Sequence, residues 1–419
     1  MNEKSSLSER QNKINFILGF TQSGLWGLAL TFSSITTVIP AFLQKLGASN
    51  IEIGLIPSLV NLGFTFPSIL SAPIVERTNS VKRFVITVTW LERLPYLFLA
   101  ILSFSIGLSN PRLAIYTTLA LIGMANFGTG FIMPGWMDFV ARIIPITSRG
   151  KFIAIGNGLG GVLGIVGAEM VGRILNIYPF PKNFSLCFSI TMIILIVAYL
   201  VLLFIKEPSH ERSNRNNYRN YFPEIPKIIK KDRNFKNYVL ARIILSFGGI
   251  GIAFYTVYAV SRFSLPDSVI GVFTMFLVGA QPLANILWGP LADRVGHKYV
   301  LLGGVTCNLL GNLLVLVTRS PTLLYLAFAL SGATNSAFMI SGLQIILEIA
   351  PSERRPTYIG INNVLISPFL AISPILGGYI ADKYGYLLVF FISLLANVSG
   401  LFILSRNVED PRKSLGSQY

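Results

Sequence analysis

Long apolar runs, almost free of charged residues, recur along the whole chain and constrain its fold more than any other feature. A helix needs about 20 apolar residues to cross the hydrocarbon core of a bilayer. Segments of about this length lie near 14–40, 52–75, 84–107, 112–142, 152–177, 184–205, 238–262, 269–292, 299–318, 322–349, 357–381 and 386–405. Lipid offers the backbone no hydrogen-bond partner, so the sequence predicts an all-α membrane protein of twelve transmembrane helices.

The low fraction of charged residues supports a membrane location. Only 12% of the 419 residues are charged, whereas a soluble domain has about a quarter. The net charge of +16 would suggest nucleic acid in a soluble protein, but the basic residues lie between apolar runs. Anionic lipid and topology explain them better. We therefore expect a multi-pass protein of the cell membrane, in contact with lipid, with no nucleic-acid partner and monomeric.

The distribution of Lys and Arg predicts the orientation. With the N-terminus inside, Arg93 and Arg242 fall within or at the membrane and most other basic residues fall in inner segments. The outer segments contain Lys45, Arg112, Arg173, Lys182, Arg262, Arg319 and Lys383. Because positively charged loops resist translocation, we expect both termini to be cytoplasmic.

The chain offers little material for catalysis or for a cofactor. Cys187 and Cys307 lie in apolar runs, and His210 and His297 lie in polar connections. This distribution provides neither a metal-binding spacing nor a disulfide framework, and no nucleotide-binding G-x-x-x-x-G-K-[ST] sequence occurs. We expect no enzymatic activity, no cofactor and no metal.

An internal repeat divides the chain into related halves. Ile53-Gly54-Leu55 and Ile270-Gly271-Val272 each open a predicted helix, 217 residues apart. Later in each half, Arg149 and Arg355 are separated by 206 residues. The repeat predicts two pseudo-symmetric six-helix bundles, a transporter architecture whose site is expected near the bilayer midplane. The predicted parts are a bundle at 1–205, a basic cytoplasmic linker at 206–237, a bundle at 238–405 and a cytoplasmic tail at 406–419.

The loop after the eighth predicted helix carries the most specific motif. It reads Gly289-Pro-Leu-Ala-Asp293-Arg294-Val-Gly296-His-Lys298, and Glu76-Arg77 marks a degenerate copy in the first half. With the IPITSRG sequence at 144–150 and the SPILGGYIAD sequence at 373–382, this resembles the major facilitator superfamily over nearly the whole chain. The resemblance implies a secondary transporter that works by alternating access.

A carboxylate at a helix C-terminus is unfavourable unless the N-terminus of another helix faces it. Asp293 is expected to face the helix that begins near Phe152, and Glu76 the one after Pro356. In the resembled family such contacts close the cytoplasmic side. The predicted gating residues are Glu76, Arg77, Gly289, Asp293, Arg294, Gly296, Lys298, Asp138 and Arg142.

Ionisable residues at membrane depth are costly and indicate function. Glu92 and Arg93 lie within the third predicted helix. Proton coupling is expected from the resemblance, with Glu92, Asp138 and Glu348 as candidate carriers. The alternative for Glu92 is a structural ion pair.

Amide and aromatic side chains at mid-membrane are candidates for the substrate cavity, although each one could instead join two helices. They suit an uncharged or amphipathic solute. The candidates are Gln22, Trp26, Asn61, Asn126, Tyr255, Tyr258, Gln281, Asn285, Asn335 and Asn362.

Two directions of transport remain open. Gly156, Gly160, Gly164 and Gly167 in the fifth predicted helix resemble the glycine-rich helix of family exporters, although helix packing explains the same spacing. They favour efflux of amphipathic compounds, and the amides favour uptake of a neutral polar solute such as a sugar. A non-transporting receptor or assembly factor on the same scaffold is the alternative from another class.

Overall fold

The computed structural model describes residues 8–105, 110–208, 225–351 and 354–410, and within them the secondary structure is helical. The part of the linker at 209–224, with His210, and the tail from 411 lie outside the described residues. The helices are α1 (Glu9–Phe32), α2 (Val38–Lys45), α3 (Asn50–Arg77), α4 (Val81–Val88), α5 (Trp90–Ser105), α6 (Pro111–Ile143), α7 (Arg149–Ile177), α8 (Lys182–Phe204), α9 (Ile225–Lys231), α10 (Arg233–Gly248), α11 (Tyr255–Phe263), α12 (Val269–Arg294), α13 (His297–Val317), α14 (Thr322–Ser341), α15 (Gln344–Ile349), α16 (Arg355–Tyr384) and α17 (Tyr386–Arg406).

Polar residues at the predicted connections cap several of these helices. The side chain of Ser8 accepts a hydrogen bond from the backbone of α1, that of Asn110 from α6 and that of Asp232 from α10. Each cap satisfies one of the N–H groups that the first turn leaves without an intrahelical partner. Pro111, which has no N–H group, follows Asn110 as the first residue of α6.

Eleven candidate membrane spans, long and apolar enough to cross a bilayer, occur in the described residues, and they correspond to the second to twelfth predicted segments. The segment predicted near 14–40 is not among them. It comprises α1 and α2, and α1 contains the buried amides Asn15 and Gln22. The chain is a multi-pass membrane protein, while the count of twelve crossings and the cytoplasmic termini stay predictions.

Packing divides the chain into two compact units. The first contains the described residues within 1–48, 59–217 and 267–275. In it α1 packs against α7 and α8, and α5 packs against α6 and α8. The second contains the described residues within 49–58, 218–266 and 276–419. In it α10 packs against α16 and α17, and α13 packs against α14 and α17.

Glycines let helices of the first unit approach closely. A Cβ added at Gly27 of α1 would lie 3.2 Å from the Cα of Gly160 of α7, and one at Gly130 of α6 would lie 2.5 Å from the carbonyl oxygen of Phe64 of α3. The glycine-rich stretch of the fifth predicted helix is therefore a packing surface for α1. This arrangement is the small-residue interface that membrane helices use.

The same asparagine contact occurs in each unit. In the first, the Asn15 amide donates to the carbonyl of Lys206 (2.8 Å) and accepts from its N–H group (3.1 Å). In the second, the Asn234 amide donates to the carbonyl of Glu409 (3.2 Å) and accepts from its N–H group (2.8 Å). Each pair ties the first long helix of a half to the segment that directly follows its last helix, as an internal repeat predicts.

Two further hydrogen bonds, each donated by a basic side chain to a backbone carbonyl, also occur at corresponding positions in both units. Arg149 donates to the carbonyl of Ala141 and Arg355 to that of Leu347, and the residues of both pairs are eight apart. Lys82 donates to the carbonyl of Leu203 (2.7 Å), and Lys298 donates to that of Ser405 (2.9 Å). Lys298, a predicted gating residue, thus holds two helices of its own unit together.

The seventh predicted helix is interrupted within the second unit. Helix α10 ends at Gly248, a 3-10 turn covers Ile250–Phe254, and α11 begins at Tyr255. The carbonyl oxygen of Gly248 accepts from Asn308 (3.1 Å), Asn397 (3.0 Å) and Ser393. Side chains of α13 and α17 therefore take over the hydrogen bonding at the interruption, as a membrane interior requires.

Candidate functional site

A buried charge cluster joins three helices of the first unit. Glu92 and Arg93 of α5 are 5% and 1% exposed. The Trp26 indole N–H of α1 donates to Oε1 of Glu92, and Nη1 of Arg93 lies 3.7 Å from Oε2. Arg93 also donates to the carbonyls of Leu195 (3.1 Å) and Thr89 (3.2 Å). The Glu92 carboxylate thus lies beside the guanidinium of the adjacent Arg93, and the cavity candidate Trp26 contacts the same carboxylate.

Three amides of the first unit have different surroundings. Gln22 lies one turn before Trp26; it is buried, and its Oε1 has no hydrogen-bond partner among the described residues. Asn126 is half-buried and donates to the carbonyl of Ile122 in its own helix (2.8 Å). Asn61 is half-buried on α3. An unsatisfied buried acceptor is costly, so Gln22 is the member of this group best suited to receive a donor from a ligand.

In the second unit, Asn362 resembles Gln22. It is 8% exposed, its amide nitrogen donates to Oδ1 of Asn363 (3.2 Å), and its own Oδ1 has no partner in the described part of the chain. Asn285 accepts from Ser336 (2.5 Å) and so joins α12 to α14. Gln281 is half-buried and Asn335 is exposed.

The two tyrosine candidates lie in the aromatic core of the second unit. Tyr255 is 1% exposed and packs edge-to-face against Phe328 and Phe390. Tyr258 is 7% exposed and packs against Phe390 and Tyr386. Both side chains serve helix packing in this arrangement, and their role in a cavity stays a prediction.

Glu207 is the centre of a second charge cluster in the first unit. Its carboxylate accepts from the backbone N–H groups of Val81 and Lys82 (both 3.1 Å) and from the hydroxyl of Ser80 (2.9 Å). Arg142 donates to it (3.2 Å). A carboxylate at this position satisfies the first turn of α4 and complements its dipole. Sequence reasoning missed Glu207, although it directly follows an apolar run.

The predicted gating carboxylates occupy dissimilar positions. Asp138 pairs with Arg142 (2.8 Å), which thereby bridges to Glu207. Glu76 and Asp293 are exposed, as are Arg77 and Arg294 beside them.

The two glycines of the motif differ in whether their surroundings require a glycine. Gly296 adopts a φ of 120°, which only glycine accommodates readily. A Cβ at Gly289 would meet no atom within 4 Å.

Glu348 of α15 lies near a histidine. One of its oxygens is 4.0 Å from Nε2 of His297, whose other ring nitrogen is 3.0 Å from the hydroxyl of Ser341. Of the nearby basic residues of this unit, Arg355 donates to the carbonyl of Leu347, and Arg242 lies over the ring of Phe338 (4.6 Å). The three candidate proton carriers Glu92, Asp138 and Glu348 are therefore found in three separate contacts.

The interrupted α10–α11 span, the glycine-lined helix contacts and the buried charges define a polytopic α-helical membrane protein. A family model described as Major Facilitator Superfamily matches residues 23–280 and 260–418. The chain belongs to this family, whose members are transporters and not enzymes. The resemblance inferred from the motif is confirmed.

Relatives by sequence are distant. An uncharacterized MFS-type transporter of Methanocaldococcus jannaschii is 21% identical over 410 residues, which are 96% of this chain and 97% of that protein. The quinolone resistance protein NorB of Staphylococcus aureus is 26% identical over 34% of this chain and 29% of its own length. The chain spans only 20% of an uncharacterized MFS-type transporter of Mycobacterium tuberculosis, at 25% identity.

Solved structures share the fold. The xylose transporter XylE of E. coli aligns with a TM-score of 0.71 at 14% identity, covering 95% of this chain and 98% of that one. The nucleoside transporter NupG aligns with a TM-score of 0.66 at 15% identity, covering 94% and 98%. At these identities the likeness concerns the fold alone.

Proposed function

We propose that the protein is a secondary active transporter that carries a small organic solute across the cell membrane by alternating access, in exchange or together with protons. The observation that carries the proposal is the contact between Trp26 and Glu92. A carboxylate that is 5% exposed on a membrane-spanning helix is retained only where it has a use or a partner. Here it has a partner on α1, the helix that also holds the unsatisfied Gln22.

The surroundings of Glu92 suit a carboxylate that gains and loses a proton. Arg93 is held by two backbone carbonyls, and its guanidinium lies over the ring of Tyr199 (5.7 Å). These contacts do not involve Glu92, so Arg93 keeps its position when Glu92 is neutral. The Trp26 indole and the charge interaction with Arg93 respond directly to the proton. By contrast, Asp138 is held in the ion pair with Arg142.

The solute is proposed to be uncharged and to carry hydrogen-bond donors. The amide oxygens of Gln22 and Asn362 are buried acceptors without partners in the described residues, and a hydroxyl or N–H group of a solute would satisfy them. Efflux is favoured as the direction, because relatives of this chain are named as a quinolone resistance protein and a citrate exporter; the solute itself is proposed to be amphipathic. The glycines of α7 pack against α1 and add no support for efflux.

Uptake of a neutral polar solute such as a sugar is the second candidate, and the same two amide oxygens favour it. Thermal stabilisation of the purified protein across a library of drugs, sugars and nucleosides identifies the solute class. Drug sensitivity of a deletion strain, compared with its growth on single carbon sources, then gives the direction. A protein that binds a solute but never moves it in proteoliposomes would be a receptor.

The coupling role of Glu92 is tested by the variant Glu92→Gln, which keeps an acceptor for the Trp26 indole and removes the charge. We expect solute-linked proton flux in proteoliposomes to fall at least about tenfold, because the site can no longer exchange a proton. Solute exchange without a gradient should persist. Glu169→Gln is the matched control, since Glu169 is an exposed partner of Arg173 on its own helix. Proton-driven accumulation by Glu92→Gln at the wild-type rate would contradict the role.

A further inference from the structure

The repeat places different residues at the position of Glu92 in the two halves. Lys82 and Lys298, which make the same contact in each unit, differ by 216 residues, and Glu92 and Asn308 differ by the same number. Asn308 of α13 donates to the carbonyl of Gly248, where α10 ends (3.1 Å). Both residues therefore join the third predicted helix of a half to its first, Glu92 through a carboxylate and Asn308 through a neutral amide.

The partner of Glu92 differs between the halves as well. Asn15 and Asn234, which also make the same contact in each unit, differ by 219 residues, and this offset relates Trp26 to Leu245. Leu245 is buried and has no hydrogen-bond donor in its side chain. The carboxylate and the indole thus occur together in one half and are both replaced in the other.

The framework around the pair is the same in both units. The Thr191 hydroxyl donates to the carbonyl of Ala29 on α1 (3.2 Å), and the Ser393 hydroxyl donates to that of Gly248 on α10. The two donors differ by 202 residues, as the acceptors of the two lysine contacts do, and the two carbonyls differ by 219. Because the second unit builds the same helix contact from neutral side chains, helix packing does not require an ionisable group at Glu92.

The contact between Trp26 and Glu92 depends on the charge of the carboxylate. A hydrogen bond to an ionised acceptor is about twice as strong as one between neutral groups, so a proton on Glu92 weakens the hold of α5 on the indole. Gln22 precedes Trp26 by four residues and therefore lies on the same face of α1. Its buried Oε1 has no hydrogen-bond partner among the described residues. A change at Trp26 thus reaches the acceptor proposed for the solute.

The charged and titratable groups that face Glu92 come from two of the helices around it. On its own helix, Arg93 lies 3.7 Å from Oε2, and Tyr96 is buried one turn further on. On α8, Tyr199 lies beside Arg93. Helix α1 contributes the indole, and α6 contributes Gly128, whose added Cβ would lie 2.5 Å from the Glu92 nitrogen. Arginine stays charged and tyrosine stays neutral at physiological pH, so Glu92 is the group that can change charge here.

We propose that Trp26 is a positioning residue of the coupling site, and that its indole N–H transmits the protonation state of Glu92 from α5 to α1 and so to Gln22. The proposal rests on the proposed coupling role of Glu92. It adds the residue through which a proton on one helix changes the solute site on another. By linkage, a solute bound at Gln22 changes proton binding at Glu92 to the same extent.

The first test measures the Trp26 indole in the full chain in nanodiscs, without solute. Replacing Trp90, Trp136 and Trp288 by phenylalanine leaves Trp26 as the one tryptophan. We expect acidification to shift its emission maximum, because the indole loses a charged acceptor, and we expect Glu92→Gln to abolish the shift. The matched control keeps Trp288 alone. Its indole donates to the carbonyl of Ala333 (3.0 Å), which does not titrate in this range, so acidification should leave its emission unchanged.

The second test uses Trp26→Phe, which keeps an aromatic ring and removes the N–H group. The probe is the library compound that most stabilises the parent protein against heat. We expect proton flux linked to this compound to fall about tenfold, the effect of losing a hydrogen bond to a charged group. Trp90→Phe is the control, since Trp90 packs against Tyr199 (5.1 Å) on α8, and its flux should match that of the parent.

The outcomes separate this inference from the proposed function. Trp26 emission that does not respond to acid, or that responds equally with and without Glu92→Gln, would overturn the role of Trp26. Parental proton flux in Trp26→Phe would overturn it as well. Proton-driven accumulation that survives Glu92→Gln would instead contradict the coupling role of Glu92 itself.

Discussion

Gly248 has a carbonyl oxygen that accepts from three side chains at the interruption between α10 and α11. Such an oxygen cannot turn to water inside a membrane, and an unpaired buried carbonyl is costly. The Asn308 amide donates to the Gly248 carbonyl (3.1 Å) and to Oδ1 of Asn397 (3.2 Å), and its own Oδ1 accepts from Asn312 (3.1 Å). The amides of α13 and α17 therefore determine where the helix can be interrupted.

We expect Asn308→Ala to destabilise the protein by about 1–2 kcal/mol, because it removes one donor to Gly248 and leaves the Asn312 amide with fewer acceptors. The measurement is the midpoint of thermal unfolding in detergent. Thr306→Ala on the same helix is the control, since Thr306 is exposed and its hydroxyl donates to the carbonyl of Leu302 in its own helix. Equal midpoints for the two variants would show that the interruption is stable without the amide.

Contacts between elements in the first unit depend on where glycines lie. The sequence predicts a packing surface on the fifth helix from glycine spacing alone, and the surface is present. Spacing within one helix does not reveal which helix it meets, so the partner α1 could not be predicted. The closer contact between α3 and α6 involves Gly63 and Gly130, which no periodic pattern marks in the sequence.

The contact between α3 and α6 gives a prediction about packing between helices. A Cβ at Gly130 would lie 2.5 Å from the Phe64 carbonyl oxygen and 2.8 Å from the Phe64 Cα. Gly130→Ala must therefore separate the helices, at about 1–3 kcal/mol or more. Gly158→Ala, in open space, should be neutral or stabilising by up to about 1 kcal/mol. The measurement is the midpoint of thermal unfolding of both variants. A Gly130→Ala protein as stable as the parent would contradict the close approach of α3 and α6.

At the scale of the whole molecule, apolar runs and the motif predicted the helical membrane fold and the family. These features are local, or repeat at a fixed offset, and are therefore visible in one sequence. Glu207 was not predicted as a contact residue, because its partner Val81 is more than a hundred residues away. Tyr255 was predicted for a cavity on helix position alone, whereas its burial against Phe328 depends on how the helices rotate.

The topology of the chain is the remaining prediction, and the basic residues make it testable. Reporters fused before residue 8, inside 206–237 and after 410 are expected on the cytoplasmic side. The adjoining segments 1–13, 206–237 and 406–419 contain three, nine and three Lys or Arg residues. Reporters inserted at 46–49 or 319–321 are expected outside. A first crossing that includes α1 is required for this pattern, since eleven crossings would place the two termini on opposite sides. Opposite locations for the fusions before residue 8 and after residue 410 would therefore show that α1 and α2 do not span the membrane.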